Sequence, residues 1–250
     1  MRTFISPARL PLTDAFFFAA FFIADALHYS ISHTGMFPGF AHPFTCLISG
    51  PSQCGKTFFL KVILRRPELY IHPAPQRVIW CYGIHNEAQM SEIAKTCPIP
   101  VDFTPELPRL SDLTPDIRTL IVIDDQMHTA GRSSEVADFF TKGSHHLNAS
   151  VFLVLQNFFH HGKRMRDIQT NSNYLLLFNN PRDYSQINYM GRQMIFSQWP
   201  GYLREAYKQA CSTPYSALLL DLTQDAHPKR RIMSGLLSTQ QFFYHIPVPK

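Results

Sequence analysis

The stretch from Gly50 to Thr57 constrains the fold of this chain more than any other, because it reads G-x-x-x-x-G-K-T. This is the pattern of a phosphate-binding loop, whose glycines let backbone N–H groups turn towards phosphate oxygens. An apolar run at 44–49 precedes it and a helix-like run at 58–64 follows it. Strand, glycine loop and helix in this order put a helix N-terminus beside the phosphates. The sequence therefore predicts a nucleotide phosphate site.

Each residue type in this loop has a chemical task. The Lys56 ammonium is expected to reach the outer phosphates, and the Thr57 hydroxyl to hold Mg²⁺. An accidental glycine turn is the alternative, but the flanking strand and helix argue against it. The predicted binding set is therefore the whole loop: Gly50, Pro51, Ser52, Gln53, Cys54, Gly55, Lys56 and Thr57.

A second polar element follows the branched apolar run at 120–123, which ends in Asp124 and Asp125. Such a run is typical of a strand buried on both faces. A carboxylate at its end can hold magnesium, and an adjacent acid can polarise an attacking water. We assign Asp124 to the metal and Asp125 to the water. Taken alone, an Asp pair more often opens a turn.

A third element is the apolar run at 151–155, which ends in Gln156 and Asn157. Ligands of open α/β sheets bind at the carboxyl ends of strands, so Gln156 is a candidate sensor of the terminal phosphate. Its alternative role is that of a simple strand terminator. In phosphate-loop ATPases with an added central strand, this strand lies between the loop strand and the acid strand, which would bring Gln156 to the terminal phosphate.

Composition is compatible with one α/β domain that has a full core, since 45% of the 250 residues are hydrophobic. The formal charge of +5 is compatible with a nucleic-acid partner without requiring one. Five cysteines occur without any C-x-x-C pair, which favours a reducing compartment, the cytoplasm or nucleus. The histidine doublets at 145–146 and 160–161 lack acids or cysteines at ligand spacing, so a metal site there is the weaker interpretation.

Along the chain we expect an apolar N-terminal extension at 1–40, a core domain at 41–240 and a tail at 241–250. The ten-residue apolar run at 15–24 is too short to cross a bilayer, which takes about 20 residues, so no membrane partner is expected. Strands alternating with helices predict a mostly parallel sheet. Strands are expected at 44–49, 77–82, 120–123, 151–155, 174–178 and 217–222, with another one conceivable at 101–103. Helices are expected at 56–64, 86–95, 134–141, 183–190 and 201–211.

The order of several blocks carries a more specific signal than the loop alone. These blocks are LIVIDD at 120–125, FTKGSHH at 140–146, QN at 156–157 and FNNPRD at 178–183. Together they resemble the FtsK/HerA-type DNA-packaging ATPases, closest to the poxvirus-type and Polinton/adintovirus-like branches. The resemblance covers residues 43–238. It implies a P-loop NTPase fold with the added strand of the RecA/FtsK-like type. Many relatives carry Glu as the second acid, where this chain has Asp125.

The resemblance also implies an activity and partners. The family couples ATP and Mg²⁺ to movement of double-stranded DNA into a capsid, and it contacts DNA through phosphates without sequence preference. Its members form homo-oligomeric rings in which a neighbour's arginine completes each site. Arg164 and Arg166, which follow the Gln156 strand, are our candidates for this trans-acting role. A capsid or portal protein is the implied partner, in host cytoplasm or nucleus or in association with the virion.

Two other functions stay open on the sequence. A small-molecule or nucleotide phosphotransferase of the P-loop class would share the loop, but it needs a second substrate pocket and an arginine-rich lid. A non-catalytic interaction protein would not need Lys56, Thr57 and both aspartates intact. DNA-stimulated ATP hydrolysis separates these alternatives from a motor.

Overall fold

The computed structural model describes residues 28–124, 132–143, 147–158, 163–182, 184–193 and 201–247. Its strands are β1 His28–Thr34, β2 Phe40–Ala41, β3 Thr45–Ser49, β4 Ile71–His72, β5 Arg77–Tyr82, β6 Val101–Thr104, β7 Thr119–Asp124, β8 Ala149–Leu155, β9 Tyr174–Phe178, β10 Ala217–Asp221, β11 Ile232–Ser234 and β12 Gln241–Pro247. Its α-helices are α1 Lys56–Arg65, α2 Pro67–Tyr70, α3 Glu87–Thr96, α4 Arg132–Asp138, α5 Lys163–Thr170, α6 Tyr184–Gln193 and α7 Tyr202–Ala210. A short π-helix at Phe139–Gly143 extends α4.

In these described ranges the strands form one large sheet in the order β1-β12-β11-β10-β9-β3-β8-β7-β5-β6. The half from β9 to β6 is parallel. The half from β10 to β1 is antiparallel. The short strands β2 and β4 pair separately. The sheet is therefore parallel where the predicted site lies and antiparallel beyond it.

The central strands are buried on both faces, as their unbroken apolar runs predict. Every residue of β3, β8 and β9 is buried. Because side chains alternate along a strand, Leu47 packs into a core with α4 to α7, whereas Cys46 and Ile48 pack into a second core with α1 and α3. Helices on both faces thus hold β3, and with it the start of the phosphate loop, in the middle of the molecule.

The start of β3 is tied to β8 by a partly buried polar cluster. The two ring nitrogens of His42 lie 2.5 Å from Ser150 Oγ and 2.9 Å from Asn148 Oδ1. The Phe44 backbone N–H donates to the same Ser150 oxygen over 3.1 Å. Burial lowers the pKa of His42, which favours the neutral ring inside this network. The Ser150 side chain is fully buried, so this Ser–His–Asn arrangement joins strands and is closed to a substrate.

The strand order confirms the prediction that the strand leading to Gln156 lies between the loop strand and the acid strand, since β8 separates β3 from β7. The predicted domain boundaries are too narrow. Strand β12, which we expected to be part of a tail, pairs along its whole length with β1, which we placed in the extension. Both strands extend the main sheet, so the folded unit spans at least 28–247. The apolar run at 15–24 lies outside the described residues.

No helix in the described part of the chain is both long and apolar enough to cross a membrane.

Candidate active site

The phosphate loop joins the carboxyl end of β3 to the first turn of α1. The Gly50 N–H donates to the Leu155 carbonyl at the end of β8 over 3.2 Å, and the Cys54 N–H donates to the Pro51 carbonyl over 3.4 Å. Gln53 and Gly55 adopt left-handed backbone conformations, with φ of 65° and 109°. At Gly55 this conformation suits glycine, which lacks the Cβ that opposes it. The loop therefore folds back on itself, and α1 begins at the carboxyl end of the parallel strands.

Lys56 places its ammonium inside this loop. Its Nζ donates to the Gly50 carbonyl over 2.6 Å and to the Pro51 carbonyl over 2.7 Å. The first backbone N–H groups of a helix have no partner within the helix, and the helix dipole makes this end positive. The ammonium and the N-terminus of α1 therefore combine into one concentrated positive site suited to a polyphosphate. Thr57 lies in the same first turn.

Gly50 has no room for a side chain. A Cβ there would lie 2.6 Å from Cys54 Sγ and 2.7 Å from Phe178 Cβ. The second of these atoms is attached directly to the backbone of β9, so it cannot rotate away. The first position of the loop motif must therefore be glycine for packing reasons, because strand β9 contacts the loop on the side opposite β8.

Cys54 lies beside Lys56 in the loop, with its sulfur 3.9 Å from the ammonium. Burial raises the pKa of this thiol, and the neighbouring lysine charge opposes that effect only in part. None of the five cysteines, all of which lie in described residues, forms a disulfide. Cys54 is therefore mainly a neutral thiol at pH 7, half-buried against the phosphate site.

The strand ends bring the predicted polar residues to the same edge. Ser49 of β3 is level with Leu155 of β8, and Val154 of β8 is level with Asp124 of β7. At about 4.8 Å between neighbouring strands, the β3 and β7 backbones lie roughly 10 Å apart. Asp124 is half-buried there, and Gln156 is exposed. Asp124 and Gln156 therefore lie at the carboxyl ends of β7 and β8, on the same side of the sheet as the loop that carries Lys56.

Thr57 and Asp124 suit magnesium by the chemistry of their oxygens. Mg²⁺ in proteins is usually held by one or two carboxylates, substrate phosphates and water, and in P-loop NTPases a Ser or Thr of the loop adds a hydroxyl. No group of three or more His, Cys, Asp or Glu side chains among the described residues could hold a metal ion alone.

Some predicted residues cannot be placed at the crevice. Asp125 and the four histidines of the doublets lie outside the described residues. Arg164 and Arg166 both belong to α5, which follows β8. The Arg166 side chain is exposed, while that of Arg164 is outside the described part.

The sequence analysis missed a groove on the β9 side of the loop. It has a volume of about 400 Å³. Its residues come from the loop, from the end of β9 and from the segment before β10: Gln53, Cys54, Asn179, Cys211, Ser212, Thr213, Pro214, Tyr215 and Ser216. This segment reaches the loop because β10 is antiparallel to β9 and so starts at the edge where β9 ends. No motif in the sequence signals that reversal.

No protein-family model matches the chain, and no curated protein sequence matches it. Among solved structures, it is similar to the genome packaging NTPase B204 from Sulfolobus turreted icosahedral virus 2 in complex with ATP-gammaS. That comparison gives 13% identity and a TM-score of 0.41 over 76% of this chain and 96% of B204. The Legionella pneumophila ATPase DotB gives 13% identity and a TM-score of 0.34 over 63% of this chain and 56% of DotB.

At these identities and TM-scores, neither similarity assigns an activity to this chain. The fold follows from the chain's own loop, strand order and helices. Strand β8 between β3 and β7, helices on both faces of the sheet and the loop that opens α1 give the chain the α/β fold of a P-loop NTPase with an added central strand.

Proposed function

We propose that this chain is an ATP-hydrolysing motor that moves double-stranded DNA and packages a viral or virus-like genome into a capsid. The observation that supports the hydrolytic part is the strand order β3-β8-β7, in which the carboxyl ends of β8 and β7 lie next to the strand that leads into the phosphate loop. The branch, poxvirus-type or Polinton/adintovirus-like, and the DNA substrate rest on the sequence blocks that resemble those ATPases.

The proposed roles follow from the position and chemistry of each residue. Lys56 offsets charge on the β- and γ-phosphates, since its ammonium is already held within the loop. Thr57 and Asp124 hold Mg²⁺. Asp125 orients and polarises the attacking water, and Gln156 senses the γ-phosphate. Hydrolysis then requires only positioning and charge stabilisation, because phosphoryl transfer needs little covalent help from the protein.

Assembly into a ring completes this proposal. Helix α5, which carries Arg164 and Arg166, follows the strand that ends at Gln156, and the Arg166 side chain is exposed. An exposed arginine can enter the site of a neighbouring subunit and stabilise charge on the γ-phosphate, as arginine fingers do. A capsid or portal protein would be the stationary partner. The reducing compartment expected from the cysteines, cytoplasm or nucleus, is part of the same proposal.

Purified protein with ATP and Mg²⁺ is expected to hydrolyse ATP faster when linear duplex DNA is added. Because the DNA contacts are proposed to be phosphate-directed, the stimulation should fall steeply as salt rises from 50 to 200 mM, over which six to ten phosphate contacts lose about 10³- to 10⁵-fold in affinity. Phosphate release at several salt concentrations measures both effects. The matched control is ATP binding by calorimetry at the same salt, which should change much less.

The outcomes of that experiment separate the open functions. Turnover that is indifferent to DNA, at every salt concentration and in the assembled ring, contradicts the motor and favours a P-loop phosphotransferase. If a monomeric sample binds ATP without hydrolysing it, the trans arginine of a neighbouring subunit is missing. Mixing wild-type protein with an Arg166→Ala variant in the assembled ring then tests that residue. If the folded protein neither binds nor hydrolyses ATP, the proposed ATPase function is contradicted.

Alkylation of Cys54 is expected to block nucleotide binding, because the thiol lies 3.9 Å from the Lys56 ammonium. Since burial raises the pKa of Cys54, the thiolate that reacts with iodoacetamide is scarce at pH 7, and labelling should accelerate as the pH rises through 9. ATP with Mg²⁺ should protect Cys54. Mass spectrometry of labelled peptides measures the rate at each cysteine.

Cys97 supplies the matched control inside the same sample. It is half-buried like Cys54, and burial raises its pKa in the same direction, but it lies at the end of α3, away from the loop. Its labelling should follow the same pH trend without protection by ATP. Equal protection of both cysteines would indicate global stabilisation instead, and full labelling of Cys54 with unchanged ATP affinity would contradict the placement of the phosphates in this loop.

A further inference from the structure

The groove on the β9 side of the phosphate loop contains an exposed aromatic ring. The side chain is that of Tyr215, a large aromatic residue that is 66% exposed. Its φ of 63° is left-handed, a conformation that costs free energy for a bulky side chain. Strained and exposed residues of this kind cluster at binding sites, where the surrounding structure holds them in place.

The ring lies directly against the phosphate loop. A Cβ built on Gly55 would be 3.1 Å from Tyr215 Cδ1 and 3.2 Å from Tyr215 Cβ. Gly55 is the residue immediately before Lys56, so Tyr215 stands beside the loop backbone that would surround the phosphates. Any ligand seated in the loop and extending towards β9 must pass this ring.

The segment that carries Tyr215 is fixed at both ends. The Cys211 N–H donates to the Tyr207 carbonyl over 2.9 Å, and the Ser216 N–H donates to the Thr213 carbonyl over 3.3 Å. The Cys211 thiol contacts the Leu177 carbonyl over 3.5 Å, and the Tyr207 hydroxyl donates to the Phe178 carbonyl over 2.7 Å. These bonds attach the segment to β9, so the ring stands on a rigid support, as an effective binding platform requires.

The groove has the size and the direction that the rest of a nucleotide needs. Its volume of about 400 Å³ lies within the range of small-molecule sites, about 300–1,000 Å³. If the γ-phosphate lies towards Asp124 and Gln156 on the β7 and β8 side, the opposite end of the nucleotide leaves the loop on the β9 side. Gln53 and Cys54 of the loop line this groove themselves, so it is continuous with the phosphate site.

We infer that this groove binds the ribose and base of the nucleotide, with the Tyr215 ring as the surface on which the base stacks. This inference rests on the proposed ATPase function and adds the recognition of the nucleoside to it. Aromatic rings stack on any base through their π faces, so Tyr215 contributes affinity for a nucleoside rather than for phosphate.

The test compares ATP with inorganic tripolyphosphate, each with Mg²⁺, by calorimetry on the full chain. Tyr215→Asn removes the ring and keeps a residue that tolerates the left-handed conformation, and Tyr215→Phe keeps the ring without the hydroxyl. Tyr215→Asn is expected to weaken ATP binding about tenfold and to leave tripolyphosphate binding unchanged. Tyr215→Phe should bind both ligands like the wild type. Tyr189→Asn, which removes another exposed tyrosine ring on α6, is the matched control and should change neither.

Each other outcome overturns a defined statement. Wild-type ATP binding by Tyr215→Asn overturns the stacking role. Equal loss of ATP and tripolyphosphate also overturns it, because the ring would then act on the loop at Gly55 and not on the base. Equal affinity of the wild type for ATP and tripolyphosphate overturns the base site and leaves the ATPase proposal standing. Binding of neither ligand by the folded wild type contradicts the proposed function itself, and the base site with it.

Discussion

Lys56→Ala is expected to reduce ATP turnover by at least about 100-fold, since removing one preorganised group that stabilises transition-state charge costs this much or more. The structure gives the physical reason: the Lys56 ammonium is held inside the loop by the Gly50 and Pro51 carbonyls. No neighbouring cation takes the same position in the loop motif. ATP affinity should fall as well, because the charge contacts phosphate in the ground state. Phosphate release and calorimetry measure the two effects separately.

Lys61→Ala is the matched control for this variant. Lys61 lies on the same helix, but its ammonium pairs with Glu92 of α3 over 2.5 Å and not with the loop. Its replacement removes a positive charge of the same kind and should leave turnover at the wild-type level. Wild-type hydrolysis by Lys56→Ala would refute the assignment of the loop. An equal loss in both variants would indicate that net charge, rather than position, supports the activity.

Gly50→Ala is expected to destabilise the fold by about 1–3 kcal/mol, the usual cost of overpacking a tight site. The added Cβ would lie 2.7 Å from Phe178 Cβ, so either β9 or the loop must shift. A shift of the loop would also break the bond from the Gly50 N–H to the Leu155 carbonyl. We therefore expect ATP affinity to fall by about tenfold or more, which corresponds to a loss of at least about 1.4 kcal/mol in binding free energy. Chemical denaturation and calorimetry measure the two losses.

Two further variants test this steric explanation. Cys54→Ala in the Gly50→Ala background removes the sulfur that would lie 2.6 Å from the new Cβ and should recover part of the stability. It should not recover all of it, because Phe178 Cβ remains in place. Gly35→Ala, at the end of β1, meets no atom within 4 Å and is strained only through its φ of 115°. It should lower stability without changing ATP affinity. Full recovery in the double variant would contradict the role of Phe178.

Much of the parallel half of the fold was predictable, for one physical reason. Strands covered by helices on both faces must be apolar throughout, and such runs stand out at β3, β7, β8 and β9. The glycine loop also identifies its own neighbours, because it functions only between a strand and a helix. The position of β8 between β3 and β7 was predicted from chain order and the ATPase pattern, and the strand pairing confirms it.

In the antiparallel half, only β10 was predicted, from the run at 217–222. Strands β1 and β12 lie at or near the edge of the sheet and mix polar with apolar residues, so neither forms a continuous apolar run. They are strands because each supplies the other's hydrogen bonds, from His28 with Pro247 to Thr34 with Gln241. Pairing between segments some 200 positions apart leaves no local pattern, which is why the predicted boundaries at 40 and 240 were wrong.

The sequence by itself determined the phosphate loop, the buried strands and the carboxyl-end residues Asp124 and Gln156. These features depend on residue type and local order, which a single chain displays directly. Only the tertiary structure decided what lies on the other side of the loop. Most strands of the sheet lie between Gly55 and Tyr215 in the sequence. Tyr215 nevertheless contacts the loop, because β10 runs antiparallel to β9 and starts where β9 ends. The direction of a strand within a sheet is set by pairing and packing across the whole domain, and no local residue pattern encodes it.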